Sequence, residues 1–77
     1  MIRRRISVAA RSESRGEEEP RALTIDGRRL EVREIVARWR EPGGRGFRVL
    51  ATDGNRYELL CLDPNLDWWL VESGRWP

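Results

Sequence analysis

Apolar residues recur at every second position along much of this chain. Near its start, Ile6 and Val8 alternate with Arg5 and Ser7. A period of two places such side chains on one face of an extended strand, whereas a helix needs apolar residues about 3.6 positions apart. The pattern therefore predicts an all-β fold, in which each strand turns one apolar face towards a shared core.

Tight turns separate the alternating runs. Asp26-Gly27 and Asp53-Gly54 each mark a hairpin, because Asp-Gly readily adopts the positive φ angles of a type I′ turn. Pro and Gly between residues 41 and 46, and Asp-Pro-Asn at residues 63–65, predict further turns. In 77 residues this arrangement predicts a strongly curved antiparallel sheet of five or six strands, which can roll into a partly open SH3-like barrel.

Residues 33–40 admit two interpretations. Leu30 and Val32 are even-numbered and Ile35 is odd-numbered, so in a regular strand they would lie on opposite faces. A β-bulge near residues 33–34 would bring them to the same face. The alternative is a helix, because the apolar residues here also fit one helical face. The β-branched residues in the segment favour the strand.

The whole chain is predicted to be one small domain, residues 1–77. Residues 11–20 contain no large apolar side chain, so nothing there repays the entropy of ordering, and we expect a mobile loop. Residues 73–77 should form a frayed tail.

The composition excludes much chemistry. The 15 basic residues are all Arg, they face 13 acidic residues, and there is no His, which is the commonest general base and zinc ligand. Cys61 lies between Leu60 and Leu62, which favours a buried thiol over a nucleophile. We expect no enzyme, catalytic residue, cofactor or metal site. The single cysteine and the lack of a long apolar run favour a protein of the bacterial cytoplasm, with no membrane partner.

Several stretches match the pattern of a known family. They are Pro20–Ile25, Gly27–Val32, Ile35–Trp39 and Tyr57–Leu59. Over Pro20–Glu72 the chain resembles a family of small all-β bacterial domains of unknown function, some of them attached to proteins related to translesion polymerases. The resemblance implies a link to DNA-repair assemblies and no particular functional residue. The chain departs from the family at Leu23 and Leu30, where a bulkier aromatic residue is expected.

Two adjacent tryptophans give the first functional hypothesis. Trp68 and Trp69 must point to opposite faces of a strand, so one of them can lie on the surface, and the pattern does not say which. An exposed Trp beside Arg is typical of a protein-binding hot spot. We therefore predict a non-enzymatic protein-interaction module, with Trp68, Trp69, Arg38 and Arg40 as the candidate surface.

The alternative hypothesis is a nucleic-acid-binding module. Arg forms bidentate bonds to phosphate, and an exposed Trp can stack on a base. The candidate phosphate contacts are Arg3, Arg5, Arg28, Arg29 and Arg33. Interspersed Glu residues could instead pair with these Arg across strands. A homodimer formed by edge-strand pairing of residues 2–8 is a further prediction.

Overall fold

The computed structural model describes residues 2–12 and 18–72, and every regular element in them is a β-strand. The strands are β1 (Ile2–Arg5), β2 (Ser7–Ser12), β3 (Glu18–Ile25), β4 (Arg28–Glu41), β5 (Gly44–Ala51), β6 (Arg56–Leu62) and β7 (Asp67–Glu72). The predicted all-β class is confirmed. The predicted number of strands is wrong, since there are seven. The first alternating run is divided at Ile6 into two strands that pair with different neighbours.

The strands form one antiparallel sheet in the order β1-β7-β6-β5-β4-β3-β2. Its two end strands, β1 and β2, are consecutive in the chain and are separated by Ile6 alone. The Ile6 N–H donates to the carbonyl oxygen of Trp68 at 3.1 Å. Because one short segment supplies both ends, the sheet curls into a half-barrel, and the predicted strong curvature is confirmed.

The long strand β4 settles the ambiguity at residues 33–40, where the helix alternative is wrong. The β4–β5 register shifts between Val32 and Glu34, which confirms the predicted bulge. A second shift, between Ile35 and Ala37, was not predicted. These two irregularities let one strand serve both parts of the curled sheet.

The predicted loop at residues 11–20 has the wrong limits. Its first residues belong to β2 and its last to β3, and Arg11 pairs with Glu19 in the ladder between them. Ladder bonds join main-chain groups and need no apolar side chain, so the composition of this segment gave no sign of them. Residues 13–17, and the predicted tail at residues 73–77, lie outside the described residues.

The concave side of the half-barrel holds the core. Within it, Phe47 on β5 packs against Trp68 on β7, with the ring centroids 5.6 Å apart. The Cys61 thiol is 1% exposed, as its apolar neighbours predicted. The buried core residues are Leu23, Leu30, Phe47, Val49, Ala51, Leu59, Cys61, Trp68 and Leu70.

The two Asp-Gly pairs form hairpins of different types. Asp26 and Gly27 have φ angles of 51° and 80°, the two positive values that a type I′ turn requires. Between β5 and β6 the connection is longer, and only Gly54 has a positive φ, 85°. Both predicted hairpins are therefore present, but only the first has a type I′ turn.

Asp53 organises the second hairpin. Its carboxylate accepts hydrogen bonds from the Tyr57 hydroxyl at 2.6 Å and from the Asn55 main-chain N–H at 2.9 Å. These two bonds hold the pKa of Asp53 below its ordinary value, and the bond from Tyr57 has the larger effect. Burial, followed by the bond to Asp53, raises the pKa of Tyr57.

The substitution Tyr57→Phe is expected to lower the free energy of unfolding by about 1 kcal/mol at neutral pH, because it removes one hydrogen bond and keeps the ring. A lowered folded-state pKa stabilises the fold above the unfolded pKa of Asp53, and this stability is lost as pH falls through the folded value. The gap between wild type and variant should therefore narrow below about pH 4. Urea unfolding at neutral and acidic pH, with NMR titration of the Asp53 carboxyl, measures both effects. An unchanged Asp53 titration in the variant would contradict this account.

Candidate functional site

One side of β4 lacks a strand partner over most of its length. Pairing with β3 runs from Arg28 to Glu31, and within the described part of the chain no strand pairs with that side of β4 beyond Glu31. From Val32 to Glu41, β4 is paired only with β5. We call this side of Val32–Glu41 the free edge of β4.

The turn after β4 determines which main-chain groups point towards the free edge. Glu41 pairs with Gly44 across a two-residue loop. Such a loop is closed by a hydrogen-bonded pair, and hydrogen-bonded and non-hydrogen-bonded pairs alternate along an antiparallel ladder. Trp39 is therefore hydrogen-bonded to β5, whereas the N–H and C=O groups of Arg38 and Arg40 point away from it. Those of Arg40 are directed outwards at the free edge.

A cleft lies beside this edge, where β3 and β4 diverge. Its volume is about 190 Å³, and its lining residues are Glu19, Arg38, Trp39, Arg40, Arg45, Gly46 and Phe47. Here a side-chain ion pair joins β3 to β4 in place of main-chain hydrogen bonds. Arg38 donates from Nε and one terminal nitrogen to the two oxygens of Glu19, at 2.5 and 3.2 Å. The Glu19 side chain is only 16% exposed. The hydrogen bond from Arg38 is the largest of the effects that lower the pKa of Glu19.

The cleft is basic. Its described lining residues include three Arg and one acidic residue, Glu19. Arg40 on β4 and Arg45 on β5 are direct cross-strand partners in a non-hydrogen-bonded pair, the type in which side chains approach most closely. Like charges in this arrangement repel, and the exposed Arg40 has no ion pair among the described residues. The Arg45 guanidinium lies 5.3 Å from the centre of the Phe47 ring. The cleft thus concentrates positive charge over an aromatic floor.

The convex face of the sheet carries a second candidate surface. Successive cross-strand pairing aligns one row across five strands: Trp39, Gly46, Leu60, Trp69 and Arg5. Leu60 is 4% exposed although it lies outside the main core cluster. The Trp39 indole lies over Gly46, so closely that a Cβ at Gly46 would overlap it. We call these five residues the convex row.

Other side chains already engage both tryptophans of the convex row. The Trp39 indole N–H donates to Glu41 at 2.5 Å. The Arg3 guanidinium lies 5.2 Å from the centre of the Trp69 ring, a cation–π contact. The convex row is therefore a partly covered apolar surface.

The predicted protein-binding residues do not form one surface. Trp69 lies on the convex face, whereas Trp68 is in the core and 7% exposed. Arg38 and Arg40 alternate with Trp39, so they project from the concave side of β4. Trp39 was not among the residues predicted to form a site. The available signal was its position opposite a glycine-rich segment, since aromatic residues commonly cover a cross-strand glycine.

The predicted phosphate contacts are spread over the molecule. Arg5 pairs with Asp67 at 2.9 Å and Arg29 with Glu31 at 3.1 Å, so cross-strand and local pairing engages part of this set. Arg3 and Arg5 lie on β1, while Arg28 and Arg29 lie at the hairpin that begins β4. Arg33 lies at the first bulge of β4. Of these five Arg, only Arg5 is among the described residues that line the pocket between β1 and the first hairpin.

The fold and the cleft define a small all-β domain with an open strand edge next to a basic pocket. Comparisons of the chain with models of known protein families, with curated proteins and with solved structures give no match. The resemblance over Pro20–Glu72 thus stays a prediction. In the described part of the chain there is no helix long and apolar enough to cross a membrane. Nor do the described Cys, Asp and Glu residues form a group of three that could hold a metal ion.

Proposed function

We propose that the chain is a non-enzymatic protein-interaction module that binds an extended segment of a partner protein along the free edge of β4. The observation that carries this proposal is the edge itself, with the main-chain groups of Arg40 directed outwards. An extended segment that aligns there would continue the sheet by main-chain hydrogen bonds, which is the general mode of strand addition.

Two bulges limit how much of the edge such a segment can use. They lie between Val32 and Glu34 and between Ile35 and Ala37, and bulges are a common device against unwanted pairing at sheet edges. Beyond the second bulge the register is regular from Ala37 to Glu41. The binding stretch is therefore short, and it coincides with the cleft.

The convex row is the weaker candidate for this function. Trp39 already bonds to Glu41, and Arg3 already covers part of Trp69. A partner docking there would have to displace these contacts or accommodate them. At the free edge, the outward main-chain groups of Arg40 can bond to a partner without rearrangement of the β4–β5 ladder.

The test is a peptide selection with two matched variants. Linear peptides selected from a random display library should bind the wild type and lose binding to Arg40→Pro, which removes the outward N–H and leaves the β4–β5 bonds intact. They should still bind Trp69→Ala, which alters only the convex row. Amide NMR spectra of both variants check that the fold persists. If Arg40→Pro does not fold, N-methylation of alternate peptide bonds provides the same test from the peptide side.

Other outcomes would contradict the proposal. Binders that depend on Trp69 and tolerate Arg40→Pro would place the interface on the convex row. Titration with single- and double-stranded DNA and RNA at low and near-physiological salt examines the nucleic-acid alternative. Salt-sensitive shifts clustered on Arg3, Arg28 and Arg29 would favour that alternative, because phosphate contacts weaken steeply with salt.

A further inference from the structure

We propose that the segment bound at the free edge is acidic, with an acidic–apolar–acidic pattern at three successive positions. This inference rests on the proposed function and specifies its partner. It is carried by the charges of the cleft, where Arg40 faces Arg45 directly and where Glu19, the one carboxylate among the described lining residues, is already bonded to Arg38.

The pattern follows from strand geometry. Residues opposite Arg38 and Arg40 in an added strand are two positions apart, so their side chains fall on the same, concave side. The residue between them lies opposite Trp39 and falls on the convex side. Carboxylates therefore suit the two outer positions, and an apolar side chain suits the middle one beside the indole.

The two outer positions are not equivalent. Arg38 is neutralised by Glu19, whose side chain is largely shielded from solvent. Arg40 has only another Arg as its direct cross-strand partner and no ion pair among the described residues. The carboxylate opposite Arg40 should therefore contribute most of the selectivity.

A second copy of this chain fits the edge poorly. If two β4 edges paired antiparallel about Trp39, Arg38 of each copy would lie opposite Arg40 of the other. Like charges directly opposite each other destabilise a strand pair. The charges that make the edge suitable for an acidic segment thus oppose self-association there.

A nucleic-acid strand also fits less well than a peptide. At the free edge Arg40 presents one hydrogen-bond donor, its N–H, and one acceptor, its C=O. A peptide backbone can bond to both groups, whereas a phosphate backbone offers acceptors and no donor for the C=O. These features favour an acidic peptide over a polyanion of phosphates.

The test uses three synthetic seven-residue peptides titrated into the isotope-labelled chain and followed by amide NMR shifts. The first alternates Glu with Val between terminal Ser residues, and the other two carry Gln or Lys in place of Glu. The Glu peptide should shift the amides of residues 37–41 and bind about tenfold or more tightly than the Gln peptide, while the Lys peptide should not bind. N-methylation at alternate residues of the Glu peptide should abolish binding.

Charge reversal supplies the decisive variants. Arg40→Glu should lose the Glu peptide and gain the Lys peptide. Arg56→Glu, which makes the same charge change at an exposed residue of β6, should bind the Glu peptide like the wild type. If the Gln peptide binds at residues 37–41 as tightly as the Glu peptide, the edge function stands and the acidic inference is wrong. If no peptide and no library binder reaches the edge, both fail. Binding of a single-stranded DNA oligomer that depends on Arg40 would instead assign the cleft to nucleic acid.

Discussion

Trp68→Ala is expected to lower the free energy of unfolding by about 3–5 kcal/mol, whereas Trp69→Ala should lower it by only about 1 kcal/mol. Trp68 is 7% exposed and packs against Phe47 in the core, so its removal leaves a cavity there. Trp69 is partly exposed on the convex face and loses mainly its contact with Arg3. The two substitutions are chemically identical and adjacent, so each controls for the other.

Urea unfolding of the two variants, followed by far-UV circular dichroism, measures this difference. A small domain has roughly 5–15 kcal/mol of stability in total, so Trp68→Ala removes a large share of it and should lower the urea midpoint far more than Trp69→Ala does. Equal losses for the two variants would mean that the assignment of one Trp to the core and the other to the surface is wrong. A larger loss for Trp69→Ala would reverse that assignment.

Gly46→Ala is expected to destabilise the fold by about 1–3 kcal/mol, because the added methyl group would overlap the Trp39 indole. The indole must then leave its place over β5 or the strands must shift. Thermal or urea unfolding measures the loss, and the indole N–H resonance of Trp39 in the NMR spectrum should report movement of the ring towards solvent.

The same substitution in a Trp39→Ala background tests the cause. Without the indole, the overlap disappears, and Gly46→Ala should become neutral or stabilising by about 0.4–1 kcal/mol, since Ala restricts the unfolded chain more than Gly. Gly44→Ala is the matched control, because a Cβ there meets the main chain of Cys61 and Leu62 and not an indole. Its destabilisation should be the same in both backgrounds. An unchanged effect of Gly46→Ala without Trp39 would refute the proposed contact.

The all-β class could be predicted from short stretches of sequence, because a hairpin or a bulge is encoded by residues that are only a few positions apart. The type I′ turn at Asp26-Gly27 and the bulge after Val32 follow from turn chemistry and from parity. The division of the first alternating segment at Ile6 could not be predicted in this way. It arises because β1 pairs with β7 and β2 pairs with β3, which are distant in sequence from each other.

The candidate site was less accessible to sequence reasoning. Trp68 and Trp69 could be placed on opposite faces, but only the packing against Phe47 decides which face is the core. Arg38 and Arg40 were recognised as candidates, but the tryptophans grouped with them lie elsewhere: Trp68 in the core and Trp69 on the convex face. Their cleft arises because β3 diverges from β4 after Glu31, which is a property of the whole sheet. No local motif encodes that divergence.

We propose that an extended acidic segment continues the sheet at the free edge of β4. Isotope-filtered NMR of the complex with the Glu–Val peptide tests it most directly, through contacts between peptide backbone protons and the amide protons of the labelled chain. We expect contacts with the amides of Arg38 and Arg40 in the alternating pattern of adjacent strands. Contacts with Leu60 and Trp69 instead, or none to the β4 main chain, would contradict it.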